Sequence, residues 1–174
     1  TDGGANVLKK TPEAAEEVLF DAVSTSRKRY PDLQIKTVIP DEFVTAPMDP
    51  LLIKQVLLNL IENAYFHARS TKPLECTLSS TEDAIKFCIR DYGSGIAPDR
   101  LSGIFDAVPS APSSAASTVD TRKGMGIGLS ICKAIVNAHN GEITARNLTE
   151  GAEFCFTIPK EEIHHETNDP NPRH

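Results

Sequence analysis

Two asparagines, Asn59 and Asn63, stand one helical turn apart inside a largely apolar stretch. On a wheel measured from Ile53 they fall at roughly 240° and 280°, at the border of an apolar stripe that runs from about 300° through 0° to about 80°. Asn competes for backbone hydrogen bonds, so a pair in one helix interior needs a reason. The bland reason is that both amides cap neighbouring strands or loops. The chemical one is that neutral, preoriented carbonyl oxygens coordinate Mg²⁺ or contact a phosphate, and such ligands suit a metal already carried by ATP.

Two glycine-rich windows follow. Asp91-Tyr92-Gly93-Ser94-Gly95-Ile96 comes directly after a strand-like segment. A carboxylate at a strand end can accept from an exocyclic amine, and Gly93 and Gly95 let the backbone approach a flat ring. Turns are full of Asp and Gly, so this window alone is weak. Gly124-Met125-Gly126-Ile127-Gly128-Leu129 runs straight into a helical pattern, aiming N–H groups and a positive helix end forward. It lacks the preceding strand of a dinucleotide fingerprint and the Gly-Lys-Ser/Thr of a P-loop. Glycine for packing at a loop-to-helix junction is the plain alternative.

The elements that must position these residues come from periodicity. Pro12 to Tyr30 reads as a helix with Thr11 as N-cap and Pro12 at its first position. Leu33 to Ile39 alternates as a strand, and Phe43 to Pro47 could make its short partner. Ile53, Val56, Leu57, Leu60, Ile61 and Ala64 predict an amphipathic helix from Pro50 to about Arg69. Glu75 to Thr81 and Ala84 to Asp91 form a hairpin around Ser80 to Asp83. Pro98 opens a short helix ending near Phe105. Asp106 to Lys123 has no periodicity and reads as a mobile loop. A helix over Gly126 to His139 ends at Asn140-Gly141, and strands fit Glu142 to Asn147 and Glu153 to Ile158. Helices with mostly antiparallel strands imply an α+β two-layer sandwich.

Composition excludes several classes. The chain has 174 residues, 18 Lys plus Arg against 24 Asp plus Glu, and a net charge of −6. Duplex binding is built on cations that neutralise phosphates, so nucleic acid is not an expected partner. The length suits one domain, and no apolar run approaches a membrane span, so the chain reads as soluble. No secretory signal sequence is evident. Cys76, Cys88, Cys132 and Cys155 lack CxxC spacing and read as buried thiols in a reducing compartment.

Taken together, Asn59-Leu60-Ile61-Glu62-Asn63-Ala64, the Asp91 to Ile96 window, the Gly124 to Leu129 window and Ile135-Val136-Asn137-Ala138-His139-Asn140-Gly141 resemble, in order and spacing, the catalytic ATP-binding domain of bacterial sensor histidine kinases. The resemblance covers about residues 12 to 159 and includes the closing Phe154 to Pro159 strand. Asp49 to Leu57 is most similar to the Kdp-type potassium and turgor sensors. The resemblance implies a Bergerat-type sandwich, a mixed, mostly antiparallel sheet covered by helices on one face, with residues 1–11 as a linker and 160–174 as a disordered tail.

It also implies a site. Asn63 would ligate Mg²⁺, with Asn59 supporting metal and phosphates. Asp91 would bind the adenine amine, and Gly93, Gly95 and Ile96 would line the adenine slot. Gly124, Gly126 and Gly128, followed by Leu129, would fold around the phosphates under a lid formed by Asp106 to Lys123, where Lys123 is the best phosphate-contacting cation. Three departures stand out. Phe66 and His67 replace the family's frequent cation and aromatic, although His67 could take the aromatic role beside the nucleotide. Asp106-Ala107-Val108 lacks a second aromatic after Phe105, and Glu153 replaces a frequent Thr.

Related gyrase-type ATPases place a Glu base where this chain has Asn59. An amide cannot accept the proton at neutral pH, so hydrolysis should be poor and transfer to another acceptor favoured. Glu62 falls about 100° away from Asn63 and points elsewhere. No His has the context of a phospho-acceptor, so the chain itself supplies no catalytic nucleophile. The expected partners are a dimerisation domain carrying that His and a response regulator, with the chain cytoplasmic and its parent anchored in the bacterial inner membrane. The alternative is a nucleotide-binding interaction module, such as a degenerate kinase or anti-sigma-like regulator.

Overall fold

The computed structural model describes residues 8–106 and 125–161. In chain order the elements are β1 (Thr11–Ala14), α1 (Ala15–Arg29), β2 (Ile35–Val38), β3 (Thr45–Met48), α2 (Pro50–His67), β4 (Leu74–Ser80), β5 (Ala84–Arg90), α3 (Pro98–Leu101), α4 (Met125–Ala138), β6 (Ile143–Asn147) and β7 (Ala152–Pro159). Five strands form a sheet in the order β2-β4-β5-β7-β6, while β1 and β3 make a two-stranded ribbon. Within the sheet β2 and β4 run parallel and the other pairings are antiparallel. Helices α1 and α4 both pack against α2. The core lies between this layer and the sheet face bearing Leu78, Ile85, Phe87, Phe154, Phe156 and Ile158. This is the expected two-layer α+β sandwich with a mostly antiparallel sheet.

Helix α2 is central because its sequence makes it so. Asp49 caps it by accepting from the Leu51 and Leu52 N–H groups at 3.2 and 3.3 Å, and Pro50 follows at a position where no N–H is needed. Ile53, Val56, Leu57, Leu60, Ile61 and Ala64 are buried. Each large aliphatic side chain among them contributes about 1.5–3 kcal/mol by leaving water. Its polar edge then faces the site. Helix α4 ends with Asn140 at φ 62°, and the Gly141 N–H reaches the Val136 carbonyl at 3.0 Å, closing a Schellman turn.

The N-terminal expectation is corrected. Thr11 and Pro12 do not start α1; Thr11–Ala14 is a strand paired antiparallel with Thr45–Met48, and α1 begins at Ala15 without a side-chain cap. Nonlocal ladder bonds outweigh a locally good cap. The same pairing removes 45–48 from β2, whose sheet partner is β4. The cysteines are corrected in part: Cys76 and Cys132 are buried thiols, whereas Cys88 and Cys155 form a disulfide across β5 and β7. Strand alternation puts these two on the face away from the helices. The 107–123 part of the expected lid and the tail from 162 lie outside the described residues.

Candidate functional site

The C-terminal half of α2, the loop after β5, α3 and the start of β7 enclose a pocket. Asn63, His67, Asp91, Gly95, Ile96 and Arg100 line it, with Ile104, Ala152 and Phe154 as its apolar wall. It lies over the edge of the hydrophobic core. A flat apolar ring and a few polar groups could share such a space.

Asp91 is 4% exposed. Its Oδ1 accepts from the Gly93 N–H at 2.9 Å and the Ala152 N–H at 3.2 Å, while its own N–H donates to the Ala152 carbonyl at 3.0 Å. The carboxylate is therefore fixed between the end of β5 and the start of β7. Both of these bonds use Oδ1, so Oδ2 is the oxygen left for a ligand amine. Behind it stands Gly151, at φ 82°, where a Cβ would collide with the Asp91 backbone. Gly95 has φ 81°, and a Cβ there would meet the Asn147 Oδ1 at 2.9 Å.

Asn147 explains why the loop after Asp91 holds its shape. Its Oδ1 accepts from the Ile96 N–H at 2.7 Å and its Nδ2 donates to the Ile96 carbonyl at 2.7 Å. One side chain thus occupies both polar groups of a residue lining the pocket. Tyr92 anchors the other side of the loop: its N–H donates to Ser70 Oγ at 2.8 Å, and Lys72 and Arg90 lie over its ring at 4.9 and 4.3 Å.

On α2, Asn59 donates from Nδ2 to the Gly128 carbonyl at 3.5 Å, joining α2 to the first turns of α4. Asn63 differs: its Oδ1 is buried and has no hydrogen-bond partner. An orphaned buried carbonyl oxygen costs about 1–3 kcal/mol, so it calls for a ligand. A neutral oxygen donor fits the hard, oxygen-seeking Mg²⁺. His67 is exposed but lines the pocket. Phe66 turns away and packs edge-on against Tyr30 and Tyr65, which stack with centroids 4.5 Å apart. Glu62 pairs with Arg29 at 2.9 Å on the α1 side, as its position on the wheel implied.

The structure therefore brings Asn63, His67, Asp91, Gly95 and Ile96 to one pocket, with Gly93 in the loop beside it. Gly126 lies in the first turn of α4, Gly128 faces Asn59, and Leu129 packs in the core. Lys123 and Gly124 lie outside the described residues. Sequence reasoning missed Asn147, Gly151 and Arg100. No local pattern marks them, because their roles depend on β6 and β7 closing over the Asp91 loop and on α3 turning back to the pocket. Phe105, next to α3, packs edge-on against Phe154 at 6.1 Å.

Comparison with known proteins identifies the family and the fold. Residues 48–162 match the family described as histidine kinase-, DNA gyrase B-, and HSP90-like ATPase. The sensor protein KdpD of Clostridium acetobutylicum is 39% identical over 161 residues, covering 92% of this chain and 18% of that protein. The adaptive-response sensory kinase SasA of Synechococcus elongatus is 36% identical over 171 residues, covering 89% of this chain and 43% of that protein. The chain thus spans less than half the length of these curated relatives. Among solved structures, full-length ShkA in complex with AMPPNP is 26% identical with a TM-score of 0.72, over 89% of this chain and 32% of that one. The catalytic domain of histidine kinase ThkA shares the fold at 24% identity and a TM-score of 0.73, over 87% of this chain and 98% of that one. The family match over residues 48–162, with sensor kinases as its relatives, places the chain in the histidine kinase-, DNA gyrase B- and HSP90-like ATPase family, as a domain of the sensor histidine kinase type.

Proposed function

We propose that this chain binds MgATP and presents the γ-phosphate to a histidine carried by a dimerisation domain outside it, as the catalytic portion of a two-component sensor kinase. The observation that carries this reading is the division of labour in the pocket. Asp91 is held by two backbone N–H groups with one oxygen spare, and Asn63 Oδ1 is buried without a partner.

Asp91 accepts the exocyclic amine of adenine, which favours adenine over a base with a carbonyl at that place. Ile96, Ile104 and Phe154 offer apolar surface to the ring. Asn63 holds the metal, with Asn59 close by on the preceding turn. Bound there, Mg²⁺ neutralises charge on the phosphates. Asn59 and Asn63 orient the polyphosphate end, and the start of α4 brings backbone N–H groups and a positive helix end towards it. Phosphoryl transfer depends mainly on such positioning, so the nucleophile can belong to another domain.

Transfer is favoured over hydrolysis by what surrounds the pocket. Among the described residues lining it, Asp91 is the sole carboxylate, and it is engaged at the adenine end. Glu62 is paired with Arg29. Neither is placed to take a proton from water at the phosphate end. The signal-transduction partners follow from the relatives: a dimerisation domain and a response regulator. No described helix is long and apolar enough to cross a membrane, and membrane anchoring belongs to the proposed parent.

The test is phosphorylation of a supplied histidine-bearing dimerisation domain, with ATP binding followed by calorimetry in parallel. Labelled phosphate should reach the histidine only with Mg²⁺ present. Saturable MgATP binding without any transfer would instead favour the nucleotide-dependent interaction module, and no ATP binding would overturn both.

A further inference from the structure

The face of the sheet turned away from the helices carries a pair of sulfurs that the nucleotide site does not use. Cys88 on β5 and Cys155 on β7 are direct register partners, their Cα atoms are 4.1 Å apart, and their sulfurs are bonded. Phe87, Ile89, Phe154 and Phe156 flank them in sequence and are buried in the helix-facing core. Alternation along each strand therefore puts both sulfurs on the opposite face. Cys88 is only half-buried there, whereas Cys155 is buried.

The other two cysteines behave differently. Burial pushes the Cys76 and Cys132 thiols up to about 12, so both stay protonated and unreactive. Glu153 has a carboxylate oxygen within 4.8 Å of both bonded sulfurs, a grouping that could hold a metal. That carboxylate is already held by Arg146, which reaches its Oε1 at 2.9 Å from Nε and 2.8 Å from Nη2. The two sulfurs are left as the reactive pair. A partly exposed disulfide is the labile kind, open to exchange with small thiols.

We propose that Cys88 and Cys155 form a reversible thiol–disulfide modification site whose reactant is a small-molecule disulfide of the glutathione class. Cys88, the more accessible sulfur, attacks as its thiolate. A Cys88–S–S–R bond forms, the R–S–S–R bond breaks, and the leaving RS⁻ takes up a proton equivalent to the one Cys88 lost. The Cys155 thiolate then attacks the Cys88 sulfur, forming the protein disulfide and expelling a second RS⁻, which is protonated in the same way. Two protein thiols are oxidised, one RSSR is reduced to two RSH, and excess RSH drives the reverse.

The site lies next to the pocket without belonging to it. Cys88 is three residues before Asp91 and Cys155 three residues after Ala152, the two residues whose mutual hydrogen bonds close the pocket's back wall. The bond spans a sequence separation of 67 residues. Closing it removes freedom from the unfolded chain and holds β5 against β7. The proposal concerns this modification and its effect on the sheet, and stands whether or not the pocket takes ATP.

The experiment equilibrates the full chain in buffers of graded oxidised-to-reduced glutathione ratio, quenches with acid, and alkylates after unfolding. The chain has four cysteines. Oxidation should leave only Cys76 and Cys132 alkylatable, give a mass lower by about 2 Da, and yield a peptide linking Cys88 to Cys155. The oxidised form should melt about 5 °C higher than the reduced form. Dithiothreitol added to the folded protein should reverse all of these changes. Cys88→Ser and Cys155→Ser, near-isosteric exchanges, should each abolish both the mass change and the redox dependence of melting. Four alkylatable thiols at excess oxidised glutathione would overturn the proposal. So would a stable glutathione adduct that never closes, or a disulfide that dithiothreitol cannot reduce in the folded chain.

Discussion

The two ends of α2 treat their polar groups in opposite ways. At the N-terminal end Asp49 and His139 have their polar groups answered by the chain. Asp49 caps Leu51 and Leu52, and its own N–H donates to His139 Nε2 at 3.0 Å. His139, 2% exposed, completes the arrangement by donating from Nδ1 to the Ile135 carbonyl at 2.8 Å. Those two bonds require the neutral ring with its proton on Nδ1. Towards the C-terminal end Asn63 Oδ1 is buried and unanswered. Within one helix, polar groups satisfied by the chain itself hold the fold together, and the unsatisfied one marks where something else must bind.

Substitutions can break that contrast. The largest effect is expected at the satisfied end: His139→Ala removes a buried ring and the acceptor for the Asp49 N–H. It should destabilise the fold by about 3 kcal/mol in denaturant unfolding, while the protein still folded keeps its ATP affinity. Asp91→Asn should cost a comparable amount, about 3 kcal/mol, but in ATP affinity. Asn can still accept from Gly93 and Ala152 through Oδ1, so stability should change little, while its NH₂ now opposes the adenine amine. Titration calorimetry with ATP and GTP reads both the loss and the altered base preference.

At the unsatisfied end the two quantities should separate. Asn63→Ala should lower MgATP affinity about 10- to 100-fold and leave the melting temperature unchanged or slightly higher, because it removes an unpaired buried polar group. A fall in stability matching that of His139→Ala would erase the distinction. Asn147→Ala should weaken ATP binding about tenfold through a loosened Ile96 backbone, since two hydrogen bonds of about 1 kcal/mol each are lost.

Acid provides the smallest and most graded probe. Burial lowers the His139 pKa below its ordinary value, the leading cause being loss of water around the charged form. The unfolded chain, with an ordinary His near 6.5, therefore takes up the proton first. Stability from this residue is complete above about pH 6.5 and declines as pH falls towards the lowered folded-state value, by no more than about 1.4 kcal/mol per pH unit. Replacing His139 should flatten that part of the stability profile.

Local signals in the sequence located α2, the β4–β5 hairpin, α4 and its cap, because periodicity and capping are decided within one element. Asn59 and Asn63 were visible for the same reason, as was Asp91 ahead of its glycines. What needed the third dimension was register. Thr11 and Pro12 look like a helix start until Thr45–Met48 lies beside them. Cys88 and Cys155 each sit in an ordinary alternating strand, and only the β5–β7 pairing makes them neighbours. Asn147 is one more polar residue at a strand end until β6 carries it to Ile96. Gly151 resembles any turn glycine until β7 starts against Asp91.

The chain contains three tyrosines and no tryptophan, and the packing sorts them. Tyr30 and Tyr65 stack at the corner between α1 and α2, with the Tyr65 hydroxyl donating to Asp32 at 2.6 Å. Tyr92 directly follows Asp91. When the phenol absorption band is excited, emission of the chain thus comes from its tyrosines, and Tyr30→Phe with Tyr65→Phe leaves Tyr92 beside the pocket as the single tyrosine. Occupancy could then be followed optically in real time, without attaching a dye.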